Sequence, residues 1–268
     1  MKKAYIILIL SIIVLSILLI SFYPKNTINV YASTFYPDSY LNEDKMPNGH
    51  LVTVTKRILD EMKIPYKIYI IGWEDAKNHA FNDGGILLSP SYTEERDKYL
   101  AFTNDQKEWK KGMPYPDTTV GVTDYVFWGL KGKDYNTSLE NIRSGELRIG
   151  IISDRSILPE ILENKIEVFD YPNRKSGIDA LHDNEIDLFL EIDIDIGYEM
   201  RQYNITDLHI YGTPLREVPY YIEFSKGYEN TRDRFYEKLI KMKESGEFYD
   251  IYSEQLKILG LEDYKKEF

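Results

Sequence analysis

One short segment of the sequence combines hydroxyl side chains with an arginine in an order that suits the binding of an anion. Ser89 and Ser91 follow the apolar run Ile86–Leu88, and Arg96 comes after them in the same loop. A guanidinium offers a planar fork of donors that fits a carboxylate in bidentate fashion, and serine hydroxyls can complete such a site. On spacing alone, Arg96 also fits a surface arginine that is paired with a neighbouring glutamate.

Aromatic side chains follow two other predicted strands, where they would flank a bound molecule. Phe35 and Tyr36 come after the β-rich run Thr27–Ser33, and Trp73 comes after Tyr66–Ile71. Aromatic rings suit the aliphatic part of a ligand through apolar contact, or a cationic part through cation–π attraction. The alternative for Trp73 is a side chain that only covers the hydrophobic core.

The elements that must position these side chains alternate between strand and helix. Apolar residues recur every three or four positions from Gly49 to Met62 and again in Thr231–Ser245, which predicts two amphipathic helices. Short β-rich runs stand between such helices in both halves of the chain. Strands that alternate with helices indicate βαβ units and largely parallel sheets. The sequence therefore predicts an α/β fold made of two α/β units in series.

The N-terminus predicts an extracytoplasmic location. Lys2 and Lys3 precede an almost unbroken apolar run from Ala4 to Phe22, close to the roughly 20 residues that span a bilayer as a helix. The lysines favour a cytoplasmic N-terminus, which sends the rest of the chain outside. Residues 1–26 are therefore predicted to be a signal anchor that holds the protein at the membrane, and the alternative is a cleaved signal peptide.

The composition argues against several classes of function. The 268 residues carry a net charge of −11, which repels phosphate backbones, so we expect no nucleic-acid partner. The sequence contains no cysteine, which excludes disulfides, thiol catalysis and thiolate metal sites. It also contains no Gly-x-Ser-x-Gly, HExxH or P-loop motif. We expect a monomer that is not an enzyme and that uses no catalytic residue, metal or cofactor.

Several short motifs follow one another in a distinctive order. They run from Gly72-Trp73-Glu74-Asp75 through Ser89–Arg96 to Leu100-Ala101-Phe102-Thr103, with further pieces at Ser138–Ile142, Ile149–Ile151, Glu185–Asp187 and Glu244–Glu247. This series resembles the family 3 (polar amino acid type) extracellular solute-binding proteins of ABC transporters, and the resemblance covers nearly all of the chain from Thr27 to Leu256. No single motif is specific for this family, whereas the series of motifs in this order is.

The resemblance implies a periplasmic-binding-protein type II fold, in which two α/β lobes are joined by a two-strand hinge and the ligand lies between them. Lobe one would contain residues 27–122 plus 218–268, and lobe two would contain residues 124–213. The N-terminal membrane-spanning or signal helix would precede lobe one. Closure of the lobes on the ligand would follow from a higher affinity of the closed form.

The resemblance also implies a role for each of several polar side chains. Ser89, Ser91 and Arg96 would bind the α-carboxylate of the ligand. Lobe two would add Ser156 at a helix N-terminus, where donors and the helix dipole favour an anion. The chain departs from the family here, because Asp154 stands in a turn that usually holds glycine and a small hydroxyl residue.

A second departure concerns the acid that receives the amino group of an amino-acid ligand. The family often has an aspartate just after the strand that corresponds to Ile186–Leu190, and this chain has Ile192 there, between Glu191 and Asp193. Either acid, or neither, serves in that role. The alternation of acids and isoleucines from Glu191 to Asp195 by itself predicts a strand edge or an exposed turn.

These observations predict an extracytoplasmic solute-binding protein that closes on a small carboxylate or zwitterion, with an amino acid as one candidate, and delivers it to an ABC permease. One alternative is a membrane-tethered ligand sensor, which an uncleaved anchor would suit. Another is a dehydratase-type enzyme on the same scaffold, which would recruit a general acid or base such as Glu191, Asp193 or His50.

Overall fold

Strands and helices alternate along most of the chain, as the sequence pattern predicts. The structure, a computed structural model, describes residues 27–152 and 166–264. In that part the strands are β1 Ile28–Ala32, β2 Tyr40–Leu41, β3 Pro47–Asn48, β4 Tyr66–Ile70, β5 Ile86–Leu88, β6 Gly121–Leu130, β7 Ile149–Ile152, β8 Val168–Tyr171, β9 Leu188–Ile192, β10 Leu208–Tyr220 and β11 Ile222–Phe224. The α-helices there are α1 His50–Glu61, α2 Trp73–Asn82, α3 Asn104–Glu108, α4 Leu139–Arg143, α5 Arg174–His182, α6 Asp193–Gln202, α7 Glu229–Glu244 and α8 Glu247–Leu259.

A mixed four-stranded sheet organises the first half of the fold, in the order β11-β5-β1-β4. β1 runs parallel to β4 and β5, and β11 pairs antiparallel with β5. The apolar face of α1 packs Leu51 and Ile58 against this sheet, because the helical spacing places them on one side. From the C-terminal part of the chain, α7 adds Phe235 and Leu239 to the same core.

A mixed five-stranded sheet organises the second half, in the order β10-β6-β9-β7-β8. β7 is parallel to β8 and β9, whereas β6 is antiparallel to β9 and β10. Successive side chains of a strand point to opposite faces, so β9 buries Leu188 and Leu190 in one core and Phe189 in the other. The sheet is therefore covered on both faces, as parallel strands require.

Two long antiparallel strands connect the two halves. β6 and β10 pair from Gly121 opposite Tyr220 to Tyr125 opposite Arg216, and a shift of register follows before Tyr211 pairs with Phe127. We call residues 121–125 and 216–220 the hinge strands. Their arrangement agrees with a two-strand connection, while the exact lobe boundaries given above stay a prediction.

The sequence predicted many elements to within a few residues and misjudged others. The predicted strand Ile86–Leu88 is present, and Ser138 caps α4 by accepting a hydrogen bond from the Asn141 N–H at 3.3 Å. The prediction of a strand edge or exposed turn from Glu191 to Asp195 is wrong after Ile192, because α6 begins at Asp193. Asp195 is buried there against the guanidinium of Arg174.

The predicted membrane helix is not part of what the structure describes. The apolar run from Ala4 to Phe22 lies outside the described residues, as does Ser156 with the helix expected to begin near it. Among residues 27–152 and 166–264, no helix has the length and apolar character that a membrane span requires.

Candidate functional site

A cavity of about 540 Å³ opens between the two sheets. Its walls come from the carboxyl ends of strands in both sheets and from the hinge strands. Ligands bind at this place in open α/β sheets, because the chain leaves the sheet there and the backbone groups are not yet paired. The described residues that line it are Ser33, Thr34, Phe35, Leu41, Ile70, Ile71, Gly72, Trp73, Ser89, Ser91, Arg96, Thr123, Tyr125, Ile152, Pro172, Ile192, Val218 and Tyr220.

Arg96 is held in the wall by neutral groups. It begins a short 3₁₀ turn, and its backbone N–H donates to Thr93 Oγ1 at 3.1 Å. One guanidinium nitrogen donates to the carbonyl oxygen of Ser91 at 2.9 Å and to Ser91 Oγ at 2.8 Å. The guanidinium carbon lies 5.3 Å from the ring centre of Trp73, within cation–π range. These contacts fix the orientation of the Arg96 guanidinium.

The charge of Arg96 has no carboxylate partner in the described part of the chain. Its recorded contacts there are to Ser91, Thr93 and Trp73, so the pairing with a neighbouring glutamate that the spacing allowed is not formed. Burial lowers the pKa of Arg96, the nearby charge of Arg216 lowers it too, and Tyr125, Glu95 and Glu74 oppose that shift. A partly desolvated cation without an ion-pair partner is a favourable place for an anion, because the anion offsets the cost of desolvation.

Ser89 is strained and carries an unsatisfied hydroxyl. Its φ of 62° lies in the left-handed region, and its backbone N–H donates to the carbonyl oxygen of Tyr221 at 3.0 Å. Its Oγ is buried and has no hydrogen-bond partner within the described residues. Such a group costs about 1–3 kcal/mol until it is paired. Strain and an unpaired hydroxyl at one residue of a cavity wall make Ser89 a candidate for contact with a ligand.

The predicted aromatic residues separate into two groups. Phe35 lines the cavity and packs edge-on against Tyr220, with ring centres 5.5 Å apart. Trp73 lines it too and also packs against the core of the first half, so both interpretations of this residue apply. Tyr36 does not line the cavity, because its ring stacks on Tyr198 of α6 at 3.7 Å.

The two acids proposed for the second half also lie away from the cavity. Alternation along β9 brings Ile192 to the wall and turns Glu191 to the other face, where it is fully buried 3.8 Å from Arg174. Asp193 begins α6 and accepts a hydrogen bond from the Ile194 N–H at 2.8 Å. In place of an acid, Ile152, Pro172 and Ile192 give this side of the cavity an apolar surface.

Sequence reasoning missed the residues that come from the hinge. Thr123 and Tyr125 reach the cavity from β6, and Val218 and Tyr220 reach it from β10. Burial raises the pKa of Tyr220 well above its usual value, so its hydroxyl stays protonated. The hinge that the family resemblance implies was the one indication that these residues reach a site. Nothing in the local sequence distinguishes them from other strand residues.

Comparison with known proteins identifies the fold. No protein-family profile matches the chain, and no curated protein matches it in sequence. A histidine kinase sensor domain with similarity to periplasmic binding proteins aligns with a TM-score of 0.70 and 17% identity, over 86% of this chain and 96% of that chain. The GluR0 ligand-binding core in complex with L-glutamate aligns with a TM-score of 0.68 and 13% identity, over 86% and 98% of the two chains.

A mutant of ArgBP from T. maritima aligns with a TM-score of 0.66 and 15% identity, over 86% of this chain and 95% of that chain. The chain therefore has the α/β fold of the periplasmic binding proteins and of related ligand-binding domains.

Proposed function

We propose that the protein is an extracytoplasmic solute-binding protein that closes on a small carboxylate between its two halves and delivers it to an ABC importer. The observation that carries the proposal is the half-buried Arg96 guanidinium, which forms no ion pair with a carboxylate among the described residues and lines the same cavity as Ser89 with its unpaired hydroxyl. A ligand carboxylate would accept hydrogen bonds from both. It would also supply the missing counter-charge.

The other walls define the body of the ligand. Ile70 and Ile71 face the cavity from the first half, and Ile152, Pro172 and Ile192 face it from the second. A charged amino group placed against these side chains would lose its hydration without gaining a partner. The described walls therefore favour a carboxylate with an apolar body, such as a branched or aromatic acid, over a free α-amino acid.

The delivery step rests on the motif series and on the N-terminal apolar run. The series from Gly72 to Glu247 resembles receptors of ABC importers, and the run from Ala4 to Phe22 would place the folded part outside the membrane. The solved ArgBP and the GluR0 core with L-glutamate have the same fold. The partners proposed are thus a small molecule, an ABC permease and the membrane.

One observation favours a second candidate function. The histidine kinase sensor domain aligns over 96% of its own length, so the same fold serves in reporting a ligand to a signalling partner. A membrane-anchored sensor would use the cavity in the same way and differ only in the protein that responds to closure. An enzymatic role has less support, because the described lining residues include no aspartate, glutamate or histidine that could act as a general acid or base.

A thermal-shift screen tests the binding function. The panel contains branched and aromatic carboxylates, 2-oxo acids, amino acids and polyamines. A ligand at a hundred times its dissociation constant adds about 2.7 kcal/mol to the unfolding free energy. We expect shifts from carboxylates with apolar bodies, and turnover of any hit would contradict the proposal of a non-catalytic protein.

Uptake measurements separate the two candidates. We expect cells that lack the gene to lose uptake of the labelled hit, and cells that carry Arg57→Ala to keep it. Arg57 is a suitable control because it is exposed and pairs with Glu247, away from the cavity. Normal uptake in the deletion strain would exclude the transport role and leave the sensor.

A further inference from the structure

A second cavity, of about 410 Å³, lies beside the hinge strand of β10. We call it the hinge pocket. Leu215 to Pro219 form one wall, and residues of the first half from Tyr92 to Lys111 form the other. Within the described chain Val218 is shared by both cavities, while Tyr220 faces the first and Tyr221 faces the second. The size falls within the roughly 300–1,000 Å³ that is usual for small-molecule sites.

The charge of the hinge pocket is opposite to that of the protein. Lys110, Lys111 and Arg216 line it, although the whole chain carries a net charge of −11. Neither lysine has an ion-pair partner within residues 27–152 and 166–264. The one carboxylate of the lining, on Glu217, accepts a hydrogen bond from the Tyr115 hydroxyl. The pocket therefore favours a negatively charged occupant.

Aromatic rings form the remaining surface. Trp109 stacks on Tyr115 with ring centres 5.7 Å apart, which leaves it half-buried at the pocket wall. Tyr92 packs edge-on against Phe102 at 5.3 Å and also lines the pocket. Rings that are held in place by their neighbours offer a flat apolar surface with little loss of side-chain entropy on binding.

A buried donor completes the pocket. Tyr221 is fully buried and lines the pocket, and its hydroxyl lies close to the Thr119 side chain. Burial raises the pKa of Tyr221, so the hydroxyl stays protonated and can donate. The neighbouring amide of Gln106 is already committed, because it donates to Thr118 Oγ1 at 3.1 Å and to the Tyr236 hydroxyl at 3.2 Å. Tyr221 thus adds a buried, protonated hydroxyl to this wall.

We propose that the hinge pocket is a second binding site, for a small aromatic anion. The anionic group would lie near Lys110 and Lys111, and the ring would lie against Trp109 and Tyr92. The proposal does not depend on the function of the main cavity. A ligand in the hinge pocket would contact the hinge strand of β10 directly.

Three tryptophans make the two sites separable in one experiment. Trp73 lines the main cavity, Trp109 lines the hinge pocket, and Trp128 is buried in the second half. The full-length protein is labelled with fluorotryptophan, and Trp→Phe variants assign the three fluorine NMR signals. Benzoate is the probe, with benzamide as a neutral analogue and acetate as an anion without a ring.

The expected result is a saturable shift of the Trp109 signal with benzoate, in wild type and in the Arg96→Ala variant. Benzamide and acetate are expected to bind at least about tenfold more weakly, since each lacks one of the two features. The double variant Lys110→Ala/Lys111→Ala should weaken benzoate binding about fivefold or more, and the exposed pair Lys67→Ala/Lys226→Ala should leave it unchanged.

Two outcomes would overturn the proposal. In the first, benzoate shifts the Trp73 signal alone, which places it in the main cavity only. In the second, the Trp109 shift persists with equal affinity in the double lysine variant or with benzamide, which shows that charge does not select the ligand. Because wild type and Arg96→Ala are both measured, poor folding of one variant does not remove the test.

Discussion

Replacing Arg96 by alanine is expected to reduce ligand affinity strongly while the unliganded protein keeps its stability. A bidentate carboxylate would accept two charge-assisted hydrogen bonds from the guanidinium, each worth about 1.5–3 kcal/mol. Loss of both weakens binding by about 3–6 kcal/mol. At 1.4 kcal/mol per factor of ten, Kd rises roughly 10²- to 10⁴-fold.

The unliganded protein responds differently because opposing effects cancel. Arg96→Ala removes the two hydrogen bonds to Ser91 and the contact with Trp73, which stabilise the fold. The same change removes a half-buried charge that forms no ion pair within the described residues, and such a charge destabilises the fold through its cost of desolvation. We expect the unfolding free energy to change by less than about 1 kcal/mol.

Isothermal titration calorimetry with the best carboxylate of the screen measures the affinity, and urea denaturation measures the stability. Arg57→Ala serves as the control for removal of an exposed arginine. Arg96→Lys keeps the charge but loses the planar fork, so its affinity is expected to fall between those of wild type and Arg96→Ala. Unchanged affinity in Arg96→Ala would refute the site. A loss of several kcal/mol of stability would assign Arg96 a structural role instead.

Three further changes test the environment of the site and of the cores. Ser89→Gly relieves the positive φ of 62° and removes the unpaired hydroxyl, so stability should rise by up to about 1 kcal/mol while affinity falls several-fold. Burial raises the pKa of Glu223 to about 8 from a usual value of 4.5, so the folded protein retains a proton that the unfolded chain has lost. Stability should therefore fall as pH rises from about 5 to 8, by up to about 1.4 kcal/mol per pH unit, and Glu223→Gln should remove that slope. Gly177→Ala places a methyl group 2.4 Å from the Phe189 ring and should destabilise by about 1–3 kcal/mol.

Each of these changes has a contradicting result. Ser89→Gly with unchanged affinity would remove the hydroxyl from the proposed site. Equal pH slopes for wild type and Glu223→Gln, measured by denaturation at several pH values, would show that Glu223 is ionised in the folded protein. A Gly177→Ala variant as stable as wild type would show that the Phe189 ring moves aside without cost.

The first half of the site could be read from the sequence because its residues are close together along the chain. Ser89, Ser91 and Arg96 lie in one loop after β5, and a strand end is where a ligand collects in this kind of sheet. Phe35 and Trp73 were found by the same reasoning, since each follows a recognisable strand. All five residues line the cavity, while their roles in binding a ligand stay a prediction.

The second half could not be read in this way because it depends on contacts between distant residues. The acidic string after β9 has the composition of an exposed turn, yet Asp195 is buried because Arg174 lies beside it. No residue near Asp195 in the sequence indicates that Arg174 would be its partner. The sequence shows that side chains of β9 alternate between two faces of a sheet. Which of the two faces lies toward the cavity depends on how β6 and β7 pair with β9. The hinge residues Thr123 and Val218 likewise meet only through the register of β6 and β10.

The most direct test of the account is a crystal structure of the protein with the tightest carboxylate from the screen. The account predicts a carboxylate between the two sheets, within hydrogen-bond distance of the Arg96 guanidinium and Ser89 Oγ, with its apolar body against Ile152 and Ile192. A ligand that lies elsewhere, or one that turns a neutral group toward Arg96, would contradict it.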